Sequence, residues 1–238
     1  MLENIDISKV LFLDIETVPQ YPDYEALPDT WKPLWDKKGA RIAKDDQTPA
    51  EAYDMAAIFA EFGKIVCISV GIFVKEGGEY QFRLKSFYGH DEKELLEGFC
   101  RLLDSSFNTP KHQLAAHNGK EFDFPYICRR CIVHGIKLPL ILDIAGKKPW
   151  EINHLDTMEL WKFGDYKAYT SIVLLANLLG IPTPKDDIDG SQVWKVYYHD
   201  NDLERIVTYC QKDVVTVAQI MLKYRREPIL QENQIIIT

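Results

Sequence analysis

Two acidic residues stand at the end of the first apolar run of the chain. The run from Val10 to Glu16 predicts a buried strand that ends in the carboxylates of Asp14 and Glu16. Since alternate residues of a strand point to the same side, both carboxylates face one way. Two like charges at the edge of a core are costly unless a cation neutralises them, which favours a metal site. The alternative is a pair of solvated acids where the strand ends.

A second polar group lies between a short predicted strand and a predicted helix. The stretch from His117 to Asp123 contains Asn118 directly after the strand and Asp123 at the helix start. A carboxylate at a helix N-terminus is electrostatically favoured, so Asp123 can both cap the helix and bind a cation. The alternatives are a simple N-cap for Asp123 and a turn residue for Asn118.

The third group lies on the strongest predicted helix, near the C-terminus. Tyr209 and Asp213 are spaced i, i+4 and therefore share a face. They lie to one side of the apolar stripe of this helix, where side chains are half buried and face a cleft. A Tyr/Asp pair of this kind is otherwise a surface hydrogen bond.

Taken together, the three groups predict a metal centre for phosphate chemistry. Asp14, Glu16, Asp123 and Asp213 supply only oxygen ligands and have no nearby Cys/His set. Oxygen ligands favour hard cations such as Mg²⁺ or Mn²⁺. Two such ions about 3.5–4 Å apart are a known device for in-line cleavage of phosphodiester bonds.

Composition restricts the class of protein. The chain has 238 residues, 46% apolar and 27% charged, which predicts one globular domain over residues 1–238. The net charge of −8 argues against a protein that coats nucleic acid by charge. No apolar run is long enough to span a membrane, and the acidic N-terminus is unlike a signal peptide. Five irregularly spaced cysteines favour reduced thiols, so we expect a cytoplasmic protein.

The remaining patterns predict the elements that position these groups. A strand pair at 64–73 and 80–88 flanks Gly77-Gly78 as a hairpin, and further strands are predicted at 113–117 and 152–160. Helices are predicted at 48–62, 91–103, 123–133, 171–179 and 202–226. Three early strands followed by alternating helices and strands predict an α/β fold, a mixed sheet with helices against its faces.

The segment 20–47 is long for a loop and forms an insertion, over about residues 20–60, after the first strand. Trp31 and Trp35 alternate with lysines and arginines in this segment. Aromatic residues interleaved with cations are typical of surfaces on which single-stranded bases stack. A miniature core for a long loop is an equally good interpretation.

These motifs resemble those of the DEDD superfamily of 3′–5′ exonucleases. Asp-Ile-Glu-Thr at 14–17 resembles the first motif, His117-Asn118 to Phe122-Asp123 the second, and Tyr209 to Asp213 the third. The sister form of the third motif has His where this chain has Thr208, so the tyrosine subclass fits better. The chain is most similar to a bacterial group related to the proofreading domain of family-B DNA polymerases, over about residues 10–222.

The resemblance implies a ribonuclease-H-like fold and stepwise release of nucleoside 5′-monophosphates from a free 3′ end. It implies that Asp14 contacts both of two Mg²⁺ or Mn²⁺ ions. Glu16 and Asp213 would hold the ion that activates the attacking water, and Asp123 would serve the other ion. Tyr209 would orient that water, because a phenol is a poor base at neutral pH. Substrate contacts would come from the remaining motif residues: Thr17, Asn118 and Phe122.

The resemblance leaves the substrate open. We expect the 3′ end of DNA, single-stranded or frayed, rather than RNA, although an exoribonuclease of the same superfamily is the rival interpretation. A binding module with a decayed site is a second rival, against which the presence of all four carboxylates and the tyrosine argues. A proofreading role would need a polymerase or repair partner acting in trans.

Overall fold

The secondary structure is that of a computed structural model, which describes residues 2–44, 46–165, 167–182 and 188–238. The strands are β1 (Val10–Pro19), β2 (Gly63–Glu76), β3 (Glu79–Tyr88), β4 (Gln113–Ala116), β5 (Leu155–Asp156) and β6 (Ile235–Ile237). The α-helices are α1 (Lys32–Gly39), α2 (Glu92–Ser106), α3 (Asp123–Val133), α4 (Thr157–Lys162), α5 (Ile172–Leu178), α6 (Val193–Lys195) and α7 (Leu203–Tyr224). Short 3₁₀ turns lie at Leu2–Asn4, Ile7–Lys9, Tyr53–Ile58, Leu140–Leu142, Pro149–Glu151, Gly190–Gln192 and Glu232–Gln234, and a π-helical turn at Val196–Asp200.

The strands that the structure describes form one mixed sheet in the order β5-β4-β1-β2-β3-β6. The pairs β1–β2 and β2–β3 are antiparallel, whereas β1–β4, β4–β5 and β3–β6 are parallel. The turn between β2 and β3 is made by Gly77 and Gly78, whose φ angles of 62° and 94° suit glycine. The predicted hairpin and the predicted mixed sheet are both confirmed.

Strand β1 is central because its side chains are apolar on both faces. Leu11 and Leu13 pack in the core against α2 and α3 on one face. Val10 and Phe12 pack on the other face in the core that α7 covers. This alternation places helices on both sides of the sheet, as the sequence predicts for an α/β fold.

The insertion between β1 and β2 differs from the sequence prediction. Thr48 and Glu51 form the expected capping box, with Thr48 N to Glu51 Oε2 at 2.8 Å and Glu51 N to Thr48 Oγ1 at 3.2 Å. The predicted helix over 48–62 is nevertheless wrong, because the chain that follows forms only the 3₁₀ turn Tyr53–Ile58. This geometry buries Tyr53 and Ala56, three residues apart, on one side. Helix α1 was not predicted.

The aromatic residues of the insertion form a local core. Trp35 is fully buried, and its indole N–H donates a 2.7 Å hydrogen bond to the carbonyl of Pro49. The rings of Tyr53 and Phe62 both meet Trp35 edge to face at 5.2 Å. Trp31 packs on Phe62 in the same way at 5.8 Å. The structure therefore supports the miniature-core interpretation of this segment.

Two further differences lie at the edges of the sheet. The strand predicted over 152–160 is wrong in length, because β5 has two residues and α4 begins at Thr157. The helix starts there because the Asp156 side chain accepts hydrogen bonds from the N–H groups of Met158 and Glu159. Strand β6, not predicted, adds to the free edge of β3 through Ile235.

Four of the predicted helices are confirmed, with differences of at most three residues at their ends. The predictions for 91–103, 123–133, 171–179 and 202–226 correspond to α2, α3, α5 and α7, respectively. Among the described residues, no helix has both the length and the apolar character needed to cross a membrane.

Candidate active site

Strand β1 places Asp14 and Glu16 on one face of the sheet. In the register with β2, Asp14 lies opposite Ser69 and Glu16 opposite Cys67, and a bulge follows Glu16. Glu16 is 6% exposed. One carboxylate oxygen of each residue lies within 4.8 Å of the other and of the Cys210 sulfur. The two carboxylates are therefore close enough to share a cation.

Helix α7 brings the third group to these carboxylates. Tyr209 and Asp213 are both partly buried, as their position beside the apolar stripe predicts. The Tyr209 hydroxyl lies beside the Asp213 carboxylate, and the pKa of Tyr209 is raised by burial and then by that neighbouring charge. The hydroxyl is therefore protonated at neutral pH.

Cys210 is a residue of the site that the sequence reasoning missed. The helical spacing of the apolar residues places Cys210 in the apolar stripe of α7, and the residue is buried as that position predicts. Its thiol, however, lies 3.4 Å from the backbone oxygen and 3.4 Å from Oδ2 of Asp14. Its place next to Tyr209 in the third motif was the available signal. The thiol fixes the side chain of Asp14 against α7.

Asp123 is the first residue of α3, and Phe122 takes the N-cap position. Asp123 is 3% exposed, and its Oδ1 atom has no hydrogen-bond partner in the described part of the chain. Burial raises the pKa of Asp123 to about 7, against the opposing effect of backbone N–H groups, including that of Ile15. An unpaired buried carboxyl oxygen is costly, which makes this atom a candidate ligand.

The four carboxylates form one electrostatic cluster. Burial is the main cause that raises the pKa of Asp14 well above its usual range, followed by the charges of Asp123 and Asp213. Burial also raises the pKa of Glu16, followed by the charges of Asp14 and Asp213. Without bound cations, these carboxyl groups therefore favour their protonated, neutral form. Bound divalent cations would favour the charged forms, so the donor set and its charge fit the predicted Mg²⁺ or Mn²⁺.

Tyr126 is a further residue that the sequence reasoning missed. It lies next to Thr17 and Phe122, the predicted substrate contacts of the first two motifs. Thr17 is 8% exposed and its side chain lies beside the hydroxyl of Tyr126. The Phe122 ring lies 5.4 Å from the Tyr126 ring. The Tyr126 hydroxyl in turn donates to the carbonyl of Ala57 at 2.9 Å. The structure thus places Thr17 and Phe122 around Tyr126, outside the group of Asp14, Glu16 and Cys210.

Asn118 is held in an unusual backbone conformation by Asp156. Its φ angle is 63°, in the left-handed region. The Asp156 carboxylate accepts hydrogen bonds from the backbone N–H of Asn118 at 3.0 Å and of Lys120 at 3.1 Å. Both residues line a cavity of about 370 Å³. The second motif therefore opens onto a cavity at this end of the sheet.

His117 serves the structure of the second motif. Its Nε2–H donates to the carbonyl of Thr170 at 2.9 Å, and its Nδ1 lies 2.9 Å from the Thr157 hydroxyl. Since a carbonyl can only accept, Nδ1 is the acceptor of the neutral tautomer. Burial lowers the pKa of His117, which also favours the neutral ring. These contacts agree with its omission from the predicted catalytic residues.

A DNA polymerase of Pyrococcus glycovorans is similar to this chain. The two sequences are 23% identical over 227 residues, which cover 88% of this chain and 28% of the polymerase. The chain thus spans little more than a quarter of the length of this relative.

A family model gives the broader assignment. Residues 58–230 match the family described as a predicted 3′-5′ exonuclease related to the exonuclease domain of PolB. The match agrees with the mixed, helix-flanked sheet, and it confirms the expected ribonuclease-H-like fold and exonuclease resemblance. Because it covers well over half of the chain, the protein belongs to this family of 3′–5′ exonucleases related to the exonuclease domain of PolB.

Proposed function

We propose that the protein removes nucleotides from the 3′ end of single-stranded or frayed DNA and releases nucleoside 5′-monophosphates. The proposed cofactors are two Mg²⁺ or Mn²⁺ ions. The observation that carries this proposal is the buried carboxylate cluster, in which Asp14, Glu16 and Asp123 all have raised pKa values. Such a cluster disfavours its own ionisation unless cations bind to it.

The four carboxylates would hold the ions. Asp14 is the best candidate to contact both, since it interacts electrostatically with Asp123 and Asp213 and adjoins Glu16. Asp123 offers the buried oxygen that has no partner among the described residues. When bound, the ions would lower the pKa of the attacking water and neutralise charge that develops on the phosphate.

The hydrolysis itself forms one bond and breaks another. The water oxygen bonds to phosphorus, the bond to the 3′ oxygen of the preceding nucleotide breaks, and that oxygen takes up a proton. Tyr209 would orient the water by hydrogen bonding, because its raised pKa makes it unsuited to take the proton. The contact with Asp213 keeps its hydroxyl at the carboxylate cluster.

The terminal nucleotide would lie against the second motif. Oδ1 of Asn118 is buried without a hydrogen-bond partner in the described residues, so it can accept a hydrogen bond from a sugar hydroxyl or a base. The Phe122 ring is partly exposed and offers an apolar wall. Thr17, held by Tyr126, would support the wall on the side of β1.

The similarity to a DNA polymerase supports DNA as the substrate. A polymerase or repair enzyme acting in trans would be the source of frayed 3′ ends in a proofreading role.

Degradation of labelled oligonucleotides tests this function. DNA and RNA of one sequence, single-stranded and in duplex, carry a 5′ label and are incubated with Mg²⁺ or Mn²⁺. A ladder that shortens from the 3′ end, with nucleoside 5′-monophosphates as products and DNA preferred, is the expected result. Chelator should stop the reaction, and Asp123→Asn is the matched inactive variant because it keeps the side-chain shape. Full activity in excess chelator, or cleavage inside the strand, contradicts the proposal.

A further inference from the structure

Large aromatic side chains are exposed on the segment that leads from β5 toward α5 and on the loop before β5. Trp150 is 77% exposed, Phe163 85% and Tyr169 65%. Two of these rings carry an ammonium group on one face. Lys148 Nζ lies 5.2 Å from the Trp150 ring centre, and Lys162 Nζ lies 5.0 Å from that of Tyr169. Aromatic residues next to lysines also occur in the insertion after β1. There the aromatic rings form a local core, whereas here they are exposed.

Tyr169 is attached to the second motif. Its hydroxyl lies beside the Asn118 side chain. The next residue, Thr170, accepts the hydrogen bond from His117 through its carbonyl. The ring of Tyr169 is therefore held beside the proposed terminal-nucleotide pocket while its surface stays open to solvent.

The cavity of about 370 Å³ joins these residues to the candidate active site. Asn118, Lys147 and Lys162 all line it. Trp150 lies three residues beyond Lys147, so at most about 11 Å separates the Cα atoms of these two residues. The cavity wall thus includes Lys162, which lies over the Tyr169 ring, and Lys147, the chain neighbour of the lysine that lies over the Trp150 ring.

Three lysines of this surface are available to phosphates. Lys147, Lys148 and Lys162 form no ion pair within the described residues, whereas the neighbouring Lys120 pairs with Glu159 at 2.6 Å. The carboxylate of Asp156, which also lines the cavity, already accepts four backbone N–H groups. Three ammonium groups thus remain for phosphates, although the carboxylates of Glu121 and Asp165 also line the cavity.

We propose that this surface binds the single-stranded DNA adjoining the 3′-terminal nucleotide, with bases stacked on Tyr169 and Trp150 and phosphates near Lys147 and Lys162. The inference rests on the proposed function, because it takes the second motif as the place of the terminal nucleotide. A lysine lies over each ring, and most of each aromatic side chain is exposed to solvent, where a base can stack. Aromatic residues and lysines arranged in this way hold single strands without reading their sequence.

Fluorescence anisotropy with a labelled decathymidylate tests the surface. Phosphorothioate linkages at the 3′ end prevent hydrolysis during the measurement. Trp150→Leu and Tyr169→Leu keep apolar bulk but remove the aromatic face, and each should weaken binding about 5-fold or more, the scale of one lost base stack. Tyr169→Phe keeps the ring and should bind within about 2-fold of wild type. Lys162→Ala should lower the slope of log K against log salt by about 0.7, the value for one phosphate contact on a single strand.

Phe163→Ala is the matched control for a lost exposed ring. Phe163 lines a different cavity, with Trp161 and Tyr224, and its removal should leave DNA binding unchanged. A blunt duplex of equal length should be insensitive to all the ring variants, because its bases are stacked on one another. Melting temperatures of the variants show that each is folded.

Two results would overturn the inference. Wild-type affinity in both Leu variants would mean that the rings serve another contact, such as a protein partner. Weak binding by Tyr169→Phe would mean that the hydroxyl acts through Asn118 and that the ring does not stack. The hydrolysis assay on wild type separates the two proposals. An inactive wild type refutes the proposed function, whereas an active wild type with unaffected ring variants refutes this surface alone.

Discussion

The carboxylate of Asp156 fixes the backbone of Asn118. It accepts the Asn118 N–H at 3.0 Å while Asn118 adopts a φ angle of 63°, and it also binds the N–H groups of Lys120, Met158 and Glu159. Asp156 is 2% exposed, so these bonds are shielded from water. One side chain therefore ties the second motif to the start of α4.

Asp156→Asn should lower both stability and activity. The amide would turn an N–H₂ group toward at least one backbone N–H and leave that donor unpaired, at a cost of about 1–3 kcal/mol in the free energy of unfolding. Loss of these bonds should also displace Asn118, a proposed substrate contact. We therefore expect kcat/KM to fall by about 10-fold or more, because the substrate is then held in the wrong position. Urea unfolding and oligonucleotide hydrolysis measure the two effects.

Asp91→Asn is the control for this substitution. Asp91 caps α2 by accepting the N–H groups of Lys93 and Glu94 and is exposed. Asn is as good an N-cap as Asp, so this variant should lose little stability and no activity. A fall in activity of similar size for Asp91→Asn would show that the effect of Asp156→Asn is not local to the site.

The metal-free protein should lose stability as the pH rises. The folded pKa of Asp123 is about 7, above the usual value for an unfolded Asp of about 3.9. The folded state therefore binds more protons than the unfolded state between these values, and stability falls as pH rises from about 4 to about 7. The difference between these two pKa values sets an upper limit of about 4 kcal/mol for the change in unfolding free energy that this residue causes. Melting curves in chelator over this range measure it.

Two comparisons isolate the cause of this pH dependence. Asp123→Asn cannot ionise, so in chelator it should be more stable than wild type near pH 7.5 and similar near pH 4.5. Mn²⁺ should raise the melting temperature of wild type more at the higher pH, where protons no longer compete for the carboxylates. If Asp123→Asn melts earlier than wild type at both pH values, Asp123 has a stabilising structural role instead.

Local patterns were sufficient for the elements that carry the site. Helix α3 begins and ends at the predicted residues, Asp123 and Val133, because its apolar spacing, acidic start and following glycine agree. The positions of Asp14 and Glu16 on one face followed from the period of a strand, and the half-buried position of Tyr209 from the period of a helix.

Contacts between distant residues could not be predicted in this way. Cys210 touches Asp14 although 196 positions separate them, and apolar periodicity alone describes Cys210 as core. Helix α1 is stabilised by packing of Trp35 against residues that follow it in the chain, which local propensity does not report. In the same way, the role of Asp156 depends on backbone N–H groups from two separate segments.

Trp35→Ala should destabilise the protein without a specific loss of DNA binding. The side chain is fully buried and hydrogen-bonded to Pro49, so its removal leaves a cavity and should cost about 3–5 kcal/mol. Leu34→Ala, at a neighbouring position that is 57% exposed, should cost little. Urea unfolding measures stability, and anisotropy on the folded protein measures DNA binding. Normal stability with weakened binding would restore the stacking interpretation of this segment.

Tyr209→Phe isolates the hydroxyl that lies beside Asp213. The ring and its packing in the core beside β1 and β2 are kept, so the melting temperature in chelator should change little. If the hydroxyl orients the attacking water, turnover should fall by about 10²–10⁴-fold. Mn²⁺ affinity, measured by calorimetry, should be nearly unchanged because no metal ligand is removed.

Tyr198→Phe, which deletes a hydroxyl bound to the carbonyl of Pro19, is the control and should keep its turnover. If Tyr209→Phe keeps the turnover of wild type, Tyr209 contributes packing alone. If the variant loses Mn²⁺ affinity, the hydroxyl acts by holding Asp213 in place as a metal ligand.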